Sequence, residues 1–316
     1  MSLALMLPAS PSHAGENSLK PVDPLTVQIE LEDAERFVAL FERTGGAPTA
    51  DQLQAEYLDP GSRGIAIFTP NRIGDANRLA EKIASNPAAY RKAIDECLPT
   101  VRAANADLRS IYLGLQGGLP DARLPQVYVL FGAGNSGGTA GPDAQVLGLE
   151  VLCRITENRD DLRRLLRHFF AHETVHSLQM QASEAPRSGD ALLAAILAEG
   201  AADFIARLVT GIEPDIERAE WALPREPELW ARMHEDIDIV RNNGEGAHAA
   251  LRRWVGNYGS PPDGWPGELG YWMGMRIWER YWSAAGDKRL ALQAMLSHDD
   301  PRRILELGAP DWQTDN

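Results

Sequence analysis

Hydrophobic and polar positions follow a helical period over most of the chain. Apolar residues recur three and four positions apart, which is typical of helices with one buried face. Gly and Pro pairs separate these segments and indicate turns. The pattern predicts helices over residues 32–44, 49–57, 75–85, 87–97, 98–115, 160–180, 190–210, 227–241, 247–254, 268–283 and 288–297.

The middle of the chain has a different pattern. Residues 126–131 (QVYVLF) are rich in β-branched and aromatic residues, and residues 145–152 (QVLGLEVL) form a second such run. Both favour strands, and a Gly-rich loop over residues 132–141 separates them. We therefore expect an α+β fold, mainly α, in which a small β-sheet precedes the helix over 160–180.

Tryptophan divides the chain unevenly, since all eight lie after residue 220. We expect a flexible lead or signal remnant over residues 1–25 and an N-terminal lobe over 26–211. A Trp-rich helical C-terminal lobe would cover 212–316 and pack on the same cleft.

The composition argues against two classes of binding partner. The 316 residues contain 31 Lys and Arg against 45 Asp and Glu, a formal net charge of −14. Nucleic acids and anionic membranes are bound through basic surfaces, so neither is expected as a partner. No apolar run approaches the roughly 20 residues of a transmembrane helix.

The N-terminus and the cysteines bear on localisation. Small residues at Ser12 and Ala14 resemble a signal-peptidase site, although no basic segment precedes the short apolar stretch. We expect a periplasmic or secreted protein, with the cytoplasm as the alternative. Cys97 and Cys153 fit one disulfide in an oxidising compartment or two buried thiols elsewhere. Unpaired thiols are favoured unless the protein is exported.

The most informative segment is HETVH. His172 and His176 are four residues apart, so on a helix they lie on one face and can bind one cation. Glu173 lies beside them and can accept a proton from a metal-bound water. The alternative is that both histidines are ordinary, partly buried residues.

A catalytic zinc requires a third protein ligand and an open position. Glu199 follows the apolar run 191–198, where a lone carboxylate is costly unless it is paired or binds a metal. Asp203 is four residues later and can accept the ring N–H of a ligating histidine. We therefore expect Zn²⁺ bound by His172, His176 and Glu199, with Asp203 behind them.

His168 extends the histidine stripe by one turn. It lies eight residues before His176, about 12 Å along the helix axis. One zinc ion with bonds near 2 Å cannot reach both. We expect His168 to pack against the site or to support a ligand.

These motifs resemble those of the gluzincin metallopeptidases, the thermolysin-like clan, in which HExxH is followed by ExxxD. The wider chain resembles a bacterial group of predicted Zn-dependent proteases that is related to gliding-motility lipoproteins. The resemblance implies a gluzincin fold and a peptidase reaction on a peptide or protein substrate. It covers residues 30–285 and is carried by the segments DPGSRGIAIF, GNSGGT, HETVH, LAEGAADF and GELGYWMG.

The site chemistry predicts peptide hydrolysis. Zinc would lower the pKa of its bound water, and Glu173 would take the proton and pass it to the leaving amine. Thermolysin-like enzymes stabilise the oxyanion with Tyr or His, which makes Tyr271 a catalytic candidate and His234 and His248 weaker ones. A non-catalytic envelope or motility-associated zinc-binding protein on the same fold is the alternative function.

The segment 132–137 (GAGNSG) matches the dinucleotide fingerprint GxGxxG and follows a predicted strand. The context does not fit, because no helix begins inside the motif and no βαβ units surround it. We expect no nicotinamide site. The loop and its strands could instead form the edge of the zinc cleft and pair with an extended peptide, or form a simple flexible hairpin.

Overall fold

A computed structural model of the chain describes residues 21–182 and 190–309. Most of the predicted lead over residues 1–25, residues 183–189 and Trp312 lie outside these residues. The helices are α1 Glu32–Arg43, α2 Ala50–Leu53, α3 Arg63–Phe68, α4 Ala76–Ser85, α5 Pro87–Lys92, α6 Leu98–Arg102, α7 Asn105–Gly118, α8 Leu149–Arg154, α9 Arg159–Ala182, α10 Ala191–Thr210, α11 Ile216–Ala222, α12 Glu226–Arg241, α13 Ala247–Trp254, α14 Leu269–Ala284, α15 Lys288–Ser297 and α16 Pro301–Gly308.

Short π-helical and 3₁₀ segments extend several of these helices. The π-helical segments are Gln54–Leu58, Thr69–Ile73 and Ala93–Cys97, and the 3₁₀ turn is Leu223–Arg225. The helix predicted over 49–57 therefore begins as α2 and continues as a π-helix. The sequence pattern did not predict α3, α11 or α16.

The sheet has three strands, β1 Gln126–Leu130, β2 Gly138–Ala140 and β3 Ala144–Gly148. Their order is β1-β3-β2, with β1 parallel and β2 antiparallel to β3. The mainly helical α+β class is confirmed. The small β2 lies at one edge of the sheet, inside the segment that the sequence presented as a loop.

The second predicted strand, over 145–152, is too long. The strand ends at Gly148 and the chain continues as α8. Every residue of this run is buried, so its apolar pattern is continuous and does not distinguish a strand from a helix. Gly148 marks the change, since a Cβ there would lie 2.4 Å from the carbonyl oxygen of Ser136.

Helix α10 packs against both α9 and α14. It approaches α14 closely at Gly200, where a Cβ would lie 2.3 Å from the Cα of Gly274. The buried side chains on both sides of residue 211 belong to one continuous hydrophobic cluster. The division into lobes at residues 211 and 212 stays a prediction.

Helix α9 is anchored at its N-terminal half. The Asn158 carboxamide oxygen accepts hydrogen bonds from the backbone N–H groups of Asp160 and Asp161, both at 3.0 Å, as an N-cap does. Arg163 and Arg167 donate to the buried Asp107 at 2.7 and 2.9 Å. These contacts fix the helix that carries both histidines.

Cys97 and Cys153 form a disulfide. The bond joins the π-helical segment Ala93–Cys97 to α8. The sequence favoured unpaired thiols only for a protein that is not exported, and of the two alternatives left open the disulfide is the one observed. Among residues 21–182 and 190–309, no helix has the length and apolarity needed to cross a membrane.

Candidate metal centre

Helices α9 and α10 bring the three predicted ligands together. The Nε2 atoms of His172 and His176 are 3.0 Å apart. The Glu199 Oε2 atom lies 3.1 Å from the His176 Nε2 and 3.4 Å from the His172 Nε2. The two histidines of the HExxH motif and the carboxylate of Glu199, 23 residues after His176, therefore converge on one point.

Each imidazole is held from behind by an oxygen atom. The His172 Nδ1 lies 2.8 Å from the Asp203 Oδ1, in the supporting role predicted for Asp203. The His176 Nδ1 lies 2.9 Å from the Oε1 of Gln179, a residue that the sequence reasoning missed. The Gln179 Nε2 donates to the backbone oxygen of Ala198 at 2.9 Å, so its carboxamide oxygen is the atom that accepts from His176.

These outer contacts decide which atoms face the centre. An Nδ1 that donates to an oxygen carries the ring proton, so the Nε2 of the neutral ring presents a lone pair. Two such nitrogens and one carboxylate oxygen then converge without a hydrogen atom between them. A group of this kind can hold a metal ion.

The donor set fits zinc. Bonds of about 2.0–2.1 Å in a tetrahedral arrangement place ligand atoms about 3.3 Å apart, and the observed separations are 3.0, 3.1 and 3.4 Å. Two imidazoles and one carboxylate also leave a fourth position open, as in catalytic zinc sites.

The electrostatics of the centre also favour positive charge. Burial by itself would lower the pKa of His172 and His176. The carboxylates of Asp203 and Glu199 hold the pKa of His172 above its ordinary value, and the carboxylate of Glu199 does the same for His176. Burial likewise would raise the pKa of Glu199, and the two histidines hold it below its usual range. The site therefore attracts a cation.

Glu173 lies beside the ligands and is 6% exposed. Its burial raises the pKa of the carboxyl above the usual range, against the effect of His176 and His172. The strand β2 lies directly against it, since a Cβ on Gly138 would be 2.5 Å from the Glu173 Oε1. Glycine is thus required where the sheet edge meets this carboxylate.

Tyr271 lies at the centre, as predicted. Its ring is parallel to that of His172, with centroids 5.9 Å apart and planes inclined by 4°. Its helix approaches α10 closely on either side of it, since a Cβ on Gly270 or Gly274 would contact Ile196. His234 and His248 are not among the residues that line the cavities at the centre.

His168 packs behind the centre. Its Nε2 lies 3.6 Å from the Asp203 Oδ1. With His172 and Asp203 it forms a second group of possible metal ligands, which does not include His176 or Glu199. Burial lowers the pKa of His168 to about 4, so the ring is neutral. This position agrees with the prediction that His168 is not a ligand beside His176.

Two adjoining cavities of about 530 and 290 Å³ open at the centre. Five residues line both cavities, so the two cavities together form one cleft that runs past Glu173. Those shared residues are Arg72, Gly138, His172, Glu173 and Tyr271.

The GxGxxG segment serves a structural purpose. The Glu150 carboxylate accepts hydrogen bonds from the backbone N–H groups of Gly132 and Gly134, both at 3.0 Å. A dinucleotide pyrophosphate would need such N–H groups, and here a buried side chain occupies them. The strand β2, and not a helix, follows the motif.

Comparisons with protein-family models, with curated proteins and with solved structures find no match for this chain. The chemistry of the cleft residues is therefore the basis for a functional proposal.

Proposed function

We propose that the protein is a zinc-dependent peptidase of the gluzincin type with a zincin-like fold. His172, His176 and Glu199 would bind the metal, and Glu173 would act as the general base. The observation that carries the proposal is the convergence of three lone-pair atoms, 3.0 to 3.4 Å apart, beside a buried carboxylate in an open cleft.

When bound, zinc would supply Lewis-acid chemistry, lowering the pKa of a coordinated water and polarising a carbonyl group. Glu173 would take a proton on its carboxylate and donate it to the leaving amine. Its raised pKa suits both steps, because the protonated form must persist long enough to act as an acid. The Tyr271 hydroxyl would donate a hydrogen bond to the oxyanion.

The edge of the sheet would bind the peptide. Strand β2 pairs with β3 on one side only, and its residues Gly138, Thr139 and Ala140 line the smaller cavity. An extended peptide could pair with this edge as an additional strand. Such pairing would bring a peptide bond beside Glu173.

The number of ligands favours an enzyme over a non-catalytic zinc-binding protein. Structural zinc sites have four protein ligands, whereas catalytic sites have three and an open position. The Cys97–Cys153 disulfide supports our proposal that the protein works in the periplasm or outside the cell, because disulfides persist in oxidising compartments.

Replacing the base tests the proposal. Glu173→Gln should lower kcat/KM for a cleaved peptide by about 10²- to 10⁴-fold and should keep one zinc per chain. Glu226→Gln, which changes a buried glutamate outside the cleft, is the matched control and should retain activity. Failure of the zinc-loaded wild type to hydrolyse any member of a mixed peptide library would contradict the proposal.

A further inference from the structure

Arg72 is a cation in the cleft to which the proposed mechanism assigns no task. It lies in the π-helical segment Thr69–Ile73, which ends at Gly74 with a left-handed φ of 83°. The side chain is half-buried and lines both cavities together with Glu173. Single π-helical turns are frequent at functional sites.

Arg72 makes no ion pair at contact distance. Among the described residues, it has no salt bridge within 4.0 Å, and its Nε is buried without a hydrogen-bond partner. Its charge acts on Glu173 only from farther away, where it lowers the pKa of that carboxyl against the larger effect of burial. The Nε of Arg280 is also buried and unpartnered, but the guanidinium of that residue pairs with Glu226 at 2.9 Å. Arg72 therefore differs in having no carboxylate in contact.

The other guanidinium of the cleft is already occupied. Arg218 pairs with Asp215 at 3.1 Å and donates to the backbone oxygen of Gly267 at 3.0 Å. Its charge is thus neutralised within the protein. In a chain of net charge −14, an uncompensated arginine in a cavity is costly, and the cost is recovered when a ligand supplies the negative charge.

We propose that Arg72 binds a carboxylate of the peptide substrate, an inference that rests on the proposed peptidase function. The planar guanidinium presents parallel N–H groups that match the two oxygens of a carboxylate. A neutral carbonyl would satisfy one N–H but would leave the charge uncompensated. Because Arg72 and Glu173 line the same cavities, the bound carboxylate would lie close to the cleaved bond.

Two sources of carboxylate fit this chemistry, the C-terminal α-carboxylate and the side chain of Asp or Glu. A peptide that the enzyme cleaves is therefore synthesised as two pairs of substrates, and the members of each pair differ only in one carboxylate. One pair has a free acid or an amide at the C-terminus, and the other has Glu or Gln next to the cleaved bond. Each is assayed with the wild type, Arg72→Gln, Arg72→Lys and Arg78→Gln. Arg78 is a half-buried arginine of α4 outside both cavities, so it serves as control.

The wild type and Arg78→Gln should prefer the carboxylate form of one pair by about 10- to 100-fold in kcat/KM, the range of a charge-assisted hydrogen bond. The pair that shows the preference identifies the source. Arg72→Gln should lose the preference and cleave the two forms of that pair with similar kcat/KM. Arg72→Lys keeps the charge without the planar fork and should retain part of the preference.

Equal cleavage within both pairs by the wild type would overturn the inference, and so would a preference that persists in Arg72→Gln at an unchanged melting temperature. If Arg72→Gln does not fold, Arg72→Lys decides, and a preference as large as that of the wild type would overturn the inference. If the wild type cleaves no peptide, the proposed function fails separately. Calorimetric titration of the same two matched peptide pairs then tests Arg72, and equal binding within both pairs would refute the carboxylate site.

Discussion

Two polar clusters near α14 are built around a glutamate, but their chemistry is opposite. Glu226 accepts from Arg280 at 2.9 Å, from Arg276 at 3.2 Å and from the Trp230 Nε1 at 3.3 Å. Glu199 instead faces two imidazole Nε2 atoms, which present lone pairs when the Nδ1–H groups donate to Asp203 and Gln179. The first cluster is satisfied within the protein, whereas the second brings three possible metal ligands to one point.

The difference shows how a structural carboxylate is distinguished from a ligand. Both glutamates lie in helices and both have depressed pKa values, against the effect of burial. Burial and pKa direction therefore do not separate them. The partners do, because a buried acid surrounded by donors stabilises the fold, while one surrounded by acceptors holds a site for an ion.

The largest expected effect on zinc affinity comes from removing the negative charge of Glu199 in the cluster with His172 and His176. Glu199→Gln should lower the zinc affinity by more than about 100-fold, beyond the loss from an outer-sphere change. Zinc at 100 times its Kd should stabilise the wild type by about 2.7 kcal/mol and should barely stabilise this variant. Thermal unfolding with and without zinc measures both, and an equal zinc-induced rise in Tm would remove Glu199 from the ligand set.

A comparable loss of activity should follow from crowding the base without touching the ligands. In Gly138→Ala the new Cβ would meet the Glu173 Oε1, and displacing a reacting group by about 1 Å can cost about 10²-fold in rate. Zinc content should not change. The control is Gly117→Ala in α7, where a Cβ meets nothing within 4 Å. An unchanged kcat/KM in Gly138→Ala would mean that Glu173 does not act from its present position.

A smaller loss is expected from the support of His176. Gln179→Leu removes the oxygen that orients the His176 ring and should weaken zinc binding by about 10- to 100-fold. Gln179→Glu keeps an acceptor and should retain more affinity. The exposed Gln181 provides a control in Gln181→Leu. Competition with a zinc chelator gives the affinities, and identical values for both Gln179 variants would mean that this contact does not tune the centre.

A change in the cluster around Glu226 should alter the stability of the fold and leave zinc binding unchanged. Glu226→Gln removes a charge that Arg276 and Arg280 bind, which should cost about 1–2 kcal/mol of unfolding free energy at pH 7. Burial would raise the pKa of Glu226, but the arginines hold it below the usual range. The carboxylate therefore stabilises the fold above the unfolded-state pKa of about 4.3, and its contribution is lost as the pH falls through the lower folded-state value.

Urea unfolding from pH 7 to pH 3 checks this prediction. The difference in stability between the wild type and Glu226→Gln should shrink as the pH falls. A difference that grows with acidity would contradict the assignment of Glu226 as a structural ion-pair partner.

The long helices were predictable from sequence because each has a clear apolar period and turn residues at its ends. The helix predicted over 160–180 is α9, and the one over 190–210 is α10, each within two residues at both ends. The strand predicted over 145–152 was too long, since all eight residues are buried and show no alternation. Strand β2 was missed because three residues of a Gly-rich loop carry no pattern of their own.

The convergence of His172, His176 and Glu199 was predictable in part, since the spacing within one helix fixes which side chains share a face. The i,i+4 pairs His172/His176 and Glu199/Asp203 are such cases. Gln179 was missed although it is three residues after His176, because a single glutamine in a helix has no distinctive chemistry. Arg72 could not be found at all, since only tertiary packing brings a turn a hundred residues upstream against Glu173.

Metal content tests the central claim most directly. Wild-type protein equilibrated with zinc and then freed of excess ion should contain about one zinc per chain. His172→Ala and His176→Ala should contain almost none, while Glu226→Gln should match the wild type. Absence of zinc from the folded wild-type protein, or full occupancy after loss of either histidine, would contradict the account.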